Sequence, residues 1–290
     1  MKKGIIRIVT WLGIAVALTF VAFVIWAFAF GGSQSTGSLK WFQFIQTTAT
    51  FLLPPVLCAL LWDEGRKPFR WLQLDRAPHW SVFLMAFCLM LVAEPAINLL
   101  ADLNNRIQLP ECMAGLEALL RSYETDAEVL TKRFLAADHI GILLVNIGLM
   151  ALLPALAEEF SFRGTLQQIL GGRPSSAINY RTHVAIWVTA ILFSAIHMQF
   201  FGFVPRMLLG ALFGYVFVWT GSLWIPVLMH FTNNALAVLV YYVTYDPESM
   251  SDSTKIADTF GAGNTWWAGV ISLILTCLGL LIFYRRTHKQ

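Results

Sequence analysis

Between His139 and Arg163 the chain reads HIGILLVNIGLMALLPALAEEFSFR. Residues 140–157 carry no charge, and eighteen such residues are enough to cross the hydrocarbon core of a bilayer as a helix. At the inner end of this run stand three charged groups, Glu158, Glu159 and Arg163. Ionisable groups at membrane depth are costly to bury and are functional candidates by default.

Composition extends the membrane reading to the whole chain of 290 residues. It is 57% hydrophobic and 13% charged, with a mean hydropathy of +0.65, whereas soluble domains carry about 25% charged residues. Apolar runs fall near 9–30, 41–62, 81–101, 139–158, 184–200, 203–220, 222–242 and 265–284. The expected fold is therefore all-α, a polytopic membrane helix bundle with about eight transmembrane helices. The first run follows Met1-Lys2-Lys3 but lacks a small-x-small cleavage site, and we read it as a retained helix. Trp41, Trp62, Trp80, Trp224, Trp266 and Trp267 fall at span ends, as in an aromatic belt.

Three regions follow: 1–138, with three spans and a long external segment; 139–242, a membrane core that holds the intramembrane charges and is the candidate functional region; and 243–290, with an external loop, the last span and a basic tail. Within 102–138 the apolar residues Leu116, Leu119, Leu120 and Tyr123 share one helical face, which implies an amphipathic surface helix packed on the outer mouth. The 244–263 loop carries Asp246, Glu248, Asp252 and Asp258 and reads as solvated. Lys2, Lys3, Arg7, Arg66, Lys67, Arg70, Arg76, Arg163, Arg173, Arg181, Arg285, Arg286 and Lys289 fall on one side of the spans. The excess of Lys and Arg there makes that side, and both termini, cytoplasmic. A net charge of +3 with no basic stripe excludes a nucleic-acid partner. Cys58, Cys88 and Cys277 lie in apolar spans and only Cys112 is external, which leaves neither a disulfide nor a CxxC redox pair.

Two further polar clusters interrupt apolar surroundings: His197, four residues after Phe193, and His230, four residues before Asn234. Counting at 1.5 Å per residue from the helix ends puts Glu158 and His197 at similar depth, with His230 within reach of both. Glu159 and Arg163, four apart, share a face and can neutralise each other, while Glu158 is rotated about 100° away. Such a set suits hydrolysis of an amide by an activated water. A glutamate shielded from water is a better proton acceptor than a solvated one, and His197 could hold and orient the water. His230 and Asn234 could then donate hydrogen bonds to the tetrahedral oxyanion.

The order EExxxR, FxxxH, HxxxN on successive apolar segments resembles the three motifs of the CAAX protease and bacteriocin-processing family of intramembrane endopeptidases, also called the ABI family. The resemblance covers residues 150–240. It implies Glu158 and His197 for water activation, His230 and Asn234 for the oxyanion hole, and Glu159, Arg163 and Phe193 as structural support. It implies a polypeptide substrate in or at the membrane of the cell; eukaryotic members remove the last three residues of prenylated CAAX proteins. No cofactor follows from it. Glu158, His197 and His230 would also make a zinc set with a water in the fourth position, although HExxH is absent and Asn234 then has no task. The other alternative is a non-catalytic peptide-binding, immunity, scaffold or transport protein. Outside the motifs, Glu94 beside Pro95 is expected to serve a gate or a helix–helix hydrogen bond, and Arg206 to snorkel to the interface.

The distribution of Lys and Arg predicts that a reporter fused to the C-terminus and active only in the cytoplasm is active; a silent reporter on a stably expressed fusion would reverse the orientation.

Overall fold

The computed structural model describes residues 2–62, 67–174, 178–244 and 260–287. Arg66, Lys289 and the acidic residues Asp246, Glu248, Asp252 and Asp258 lie outside them. Nine long helices carry the architecture of these residues: α1 (Lys2–Phe30), α2 (Thr36–Trp62), α3 (Trp80–Asn105), α4 (Ala114–Leu135), α5 (Ile140–Gly171), α6 (Tyr180–Ala195), α7 (Phe203–Thr220), α8 (Trp224–Thr244) and α9 (Trp266–Thr287). No strand occurs among the described residues. The chain is an all-α polytopic membrane bundle in which seven helices are long and apolar enough to cross a bilayer. The run expected at 184–200 becomes the 16-residue α6, about 24 Å long at 1.5 Å per residue and shorter than a hydrocarbon core of about 30 Å. It stops because His197 bonds back to Ser194 and Met198 takes a positive φ of 55°.

Prolines decide where the helices bind one another. A proline has no N–H, so the carbonyl four residues earlier loses its helical donor. Pro55 frees the Phe51 carbonyl, which accepts from the Ser161 hydroxyl of α5 at 2.7 Å. Pro154 frees the Met150 carbonyl, which faces the Asn234 amide of α8 at 3.4 Å. Beside Pro95, the Ser272 hydroxyl of α9 inserts into the α3 ladder, accepting from the Ala96 N–H and donating to the Val92 carbonyl. The backbone turns π-helical just before the prolines of α2 and α5, at Thr48–Leu52 and Ile147–Leu152, and again at Phe162–Gln167 with no proline beside it.

Apolar cores lie on both sides of α5 and α7. Val82, Ala86 and Met90 of α3 bury against Phe213 and Val216 of α7, Ile225 and Met229 of α8 and Phe283 of α9. Trp11, Cys58, Phe162, Leu166 and Phe193 form a second cluster on the α1 side. Between α6 and α7 the backbones come close through Gly210 and Gly214, a small-x₃-small spacing that suits helices without a hydrophobic drive to associate. A Cβ added at Gly214 would lie 2.7 Å from Gln167 Oε1 and 2.9 Å from Ile186 Cγ2.

The amphipathic helix exists but is longer than expected and turned the other way. In α4 it is Glu117, Leu120, Arg121 and Glu124 that face the protein, while Leu116, Leu119 and Tyr123 are exposed. Polar contacts turn it. Glu124 accepts from the Phe201 N–H at 3.2 Å, and the Arg121 guanidinium lies 4.0 Å over the Phe201 ring. The Leu109 N–H and then Arg121 hold the Glu117 carboxyl below its ordinary value.

Gly214→Val should destabilise the protein by about 1–3 kcal/mol or more through overpacking. Gly13→Ala, whose added Cβ meets nothing within 4 Å, should be neutral or stabilising. Thermal unfolding of both variants in one detergent checks the contrast, and equal effects would refute the close α6–α7 approach.

Candidate active site

At the centre of the bundle one carboxylate oxygen receives two donors. Glu159 Oε1 accepts from Arg163 Nη1 at 2.7 Å and from His230 Nδ1 at 2.8 Å. Both Glu159 and Arg163 have no exposed side-chain surface. Arg163 Nη2 donates onward to the Gly210 carbonyl at 2.8 Å, which ties α5 to α7. The guanidinium also lies 4.6 Å over the Phe193 ring and 5.4 Å from that of Phe213. Glu159 Oε2 and Arg163 Nε remain buried without partners among the described residues.

Glu158, one residue earlier and rotated about 100° around α5, faces a different space. Its Oε2 stands 4.0 Å from His197 Nε2 and 4.0 Å from His230 Nε2. Side-chain exposure is 15% for Glu158, 28% for His197 and 7% for His230. The Glu158–His197 edge is therefore partly open while the Glu159–Arg163 pair behind it is fully enclosed.

Each ring is set by its other nitrogen. His197 Nδ1 bonds the Phe193 carbonyl at 2.8 Å. A carbonyl only accepts, so Nδ1 carries the hydrogen and Nε2 presents a lone pair towards Glu158. The carbonyl is free because α6 tightens at its end, where the His197 N–H bonds Ser194 rather than Phe193. The Phe193 ring meets the His197 ring edge-on at 5.3 Å and the His230 ring at 5.9 Å. Phe213 stacks on the opposite side of His230 at 5.5 Å and 22°.

The structure thus draws together Glu158, Glu159, Arg163, Phe193, His197 and His230. Asn234 lies one turn further along α8; its Nδ2 faces the Met150 carbonyl and its Oδ1 accepts from Asn233. One amide N–H of Asn234 is left for another acceptor. Among the described residues no group of three His, Cys, Asp or Glu side chains is arranged to hold a metal ion. Glu94 does not make the expected interhelical bond through Oε2, which is buried without a partner. Arg206 donates from Nη2 to Gln199 Oε1, in the turn between α6 and α7, at 2.7 Å, and its Nη1 is buried. Sequence reasoning missed Phe213 and the Gly210 carbonyl, since a lone phenylalanine in an apolar span looks like any lipid-facing one; the Gly210–Gly214 spacing was the available signal.

Residues 140–236 match the family described as type II CAAX prenyl endopeptidase Rce1-like. Among curated proteins, the uncharacterized protein YpbD of Bacillus subtilis (strain 168) is 30% identical over 95 residues, covering 31% of this chain and 43% of that protein. The chain thus spans less than half the length of this relative. No solved structure matches the chain.

Removing one member of a buried charged pair strands the other and typically costs about 3–5 kcal/mol. Arg163→Ala should lower stability by that order in thermal unfolding. The Glu159→Gln/Arg163→Gln double variant should lose less than the sum of its two single variants. Additive losses would mean that the two side chains act independently.

Proposed function

We propose that this chain, whose residues 140–236 match the Rce1-like family of type II CAAX prenyl endopeptidases, is an intramembrane endopeptidase that cleaves by a glutamate-activated water. The observation that carries the reading is the 4.0 Å spacing of Glu158 Oε2 from the Nε2 atoms of His197 and His230. That gap is too long for a direct hydrogen bond, and one water fits it, reaching an acceptor on each side at roughly 2.8 Å.

In this reading the water gives one hydrogen bond to Glu158 and one to the lone pair of His197, which turns its oxygen towards the substrate carbonyl. Glu158 takes the proton as the oxygen attacks, and later returns it to the amine nitrogen as the C–N bond breaks. The products are a carboxylic acid and an amine, and the acid's proton then passes to the amine, so no covalent enzyme intermediate and no cofactor are needed.

His230 can donate to the oxyanion from Nε2 only if Nδ1, which already serves Glu159, also keeps its hydrogen. Asn234 supplies the second donor through its remaining N–H. The substrate is a membrane-associated polypeptide with a CAAX-like C-terminal segment, and the protein sits in the cell membrane with both termini cytoplasmic.

Membrane-protein termini compared by mass spectrometry, between cells with wild-type protein and cells with Glu158→Gln at equal abundance, test the reading. New termini should appear only with wild type. Asn234→Ala should slow their formation about 10²- to 10³-fold. A fully active Glu158→Gln protein would end the endopeptidase reading in favour of a non-catalytic peptide-binding role.

A further inference from the structure

α4 has no part in the proposed reaction, and its contacts show where it lies. Near its start Glu117 accepts from the Leu109 N–H at 2.8 Å and Arg121 donates to the Ile107 carbonyl at 3.3 Å, both in the chain leaving α3. Arg121 and Glu124 also hold Phe201, in the turn between α6 and α7. Near its end Arg133 donates to the Gln34 carbonyl at 2.6 Å and to the Thr36 hydroxyl at 2.9 Å, where α1 passes into α2. The Leu135 carbonyl accepts from Asn146 of α5 at 3.0 Å. These partners stand at one end of the bundle but on separate helices, and the stretch from Arg121 to Arg133 spans roughly 18 Å. α4 therefore lies across the ends of the spans rather than alongside them.

Around its axis, at about 100° per residue, α4 shows three arcs. Glu117, Arg121 and Glu124 turn to the protein through the bonds just given. Ser122, Thr125 and Asp126 are exposed on a polar arc, where both hydroxyls bond back to carbonyls of their own helix. Val129 is the one large apolar side chain exposed on that arc. Leu116, Leu119, Tyr123 and Leu130 share a third arc, only about 60° wide, and are 42–48% exposed. In water this arc would leave a row of apolar side chains hydrated at a cost. Rotating it onto the protein would strip Glu117, Arg121 and Glu124 of their partners. Lipid is the third surrounding open to a helix at the rim of a membrane bundle. The apolar surface also runs on at both ends of α4, since Leu103 and Ile107 before it and Ile140 and Leu144 after it are exposed. Tyr123, an apolar ring with a polar tip, suits the boundary between lipid and water.

We propose that α4 is an in-plane membrane helix whose Leu116, Leu119, Tyr123 and Leu130 sink into the leaflet at this end of the bundle. The partner is a phospholipid surface, and the arc of Ser122, Thr125 and Asp126 faces water. The helix that meets the bilayer is also the one that holds Phe201, four residues from His197, so the lipid surface and the turn beside that histidine share one support. The inference stands apart from the endopeptidase reading and is tested without any measurement of cleavage.

Full-length protein with Cys58, Cys88, Cys112 and Cys277 replaced by alanine receives one nitroxide label through Leu119→Cys, Tyr123→Cys, Leu130→Cys, Ser122→Cys or Asp126→Cys. Each is reconstituted in vesicles of phosphatidylcholine and phosphatidylglycerol. Power-saturation EPR then compares collisions with oxygen, which concentrates in the bilayer, and with a water-soluble nickel chelate present on both faces. Labels at 119, 123 and 130 should favour oxygen, and labels at 122 and 126 should favour nickel. If the cysteine-free protein does not fold, the chain with its native cysteines supplies the readout: p-azidophenylalanine in place of Leu119 should photocrosslink to phospholipid, and in place of Ser122 should not. Nickel access along the stripe equal to that at Ser122 would overturn the inference. So would stripe labels shielded from both reagents, or crosslinks from position 119 to protein, which would assign the stripe to a second copy or another protein.

Discussion

A carboxylate oxygen sealed from water must be satisfied by protein donors, and Glu159 Oε1 meets that requirement with Arg163 and His230 at once. Removing the charges of Glu159 and Arg163 from water is costly, and only close geometry and further hydrogen bonds offset it. The arrangement follows from that constraint. Arg163 must sit one turn beyond Glu159 on α5, α7 must bring the Gly210 carbonyl to its other nitrogen, and α8 must bring His230 to the remaining side. With Glu159 turned inward, Glu158 points 100° away into the partly open space beside His197. The ring of His230, pinned at Nδ1, has only Nε2 left to offer there. The same pairing that holds the helices together thus orients two of the groups assigned to the reaction.

A second constraint comes from the apolar surroundings of the helices. A carbonyl without a donor is expensive where there is no water, so every proline inside a span creates a demand on a neighbour. Phe51 and Met150 meet that demand through Ser161 and Asn234, while beside Pro95 the Ser272 hydroxyl inserts between the Ala96 N–H and the Val92 carbonyl. These contacts join α2 to α5, α5 to α8 and α3 to α9. Asn234, carried by the HxxxN spacing, is therefore also a clasp between α8 and the π-helical turn before Pro154. A residue placed in this way can hold its free N–H in a defined direction without further support.

Much of this was legible in residue order. Composition and run lengths marked an all-α membrane bundle, and the i, i+4 spacing of Glu159 and Arg163 predicted the pair seen at 2.7 Å. The FxxxH spacing predicted a ring one turn from His197; the tightened end of α6 adds that the Phe193 carbonyl fixes the histidine tautomer. Other features were misread for definite reasons. The apolar stripe of α4 suggested that Leu116, Leu119 and Tyr123 pack downward, yet Arg121 and Glu124 find the turn at Phe201 and reverse the helix. The bond of Arg206 to Gln199 could not be read from its own span, because the partner lies in the turn before it.

Local sequence determined what each helix carries and how its polar groups are phased, because helical periodicity is a property of neighbours in the chain. It determined the membrane setting for the same reason, since an apolar run needs no partner to be insoluble in water. Tertiary structure alone decided which polar faces meet. Phe213 against His230, the Gly210 carbonyl against Arg163, and the 4.0 Å spacing of Glu158 from two imidazoles depend on how α5, α6, α7 and α8 cross. Those crossings are set by close packing at Gly210 and Gly214 and by the demand that each buried charge and each freed carbonyl find a donor or acceptor across an interface, and no single segment encodes where that partner will be.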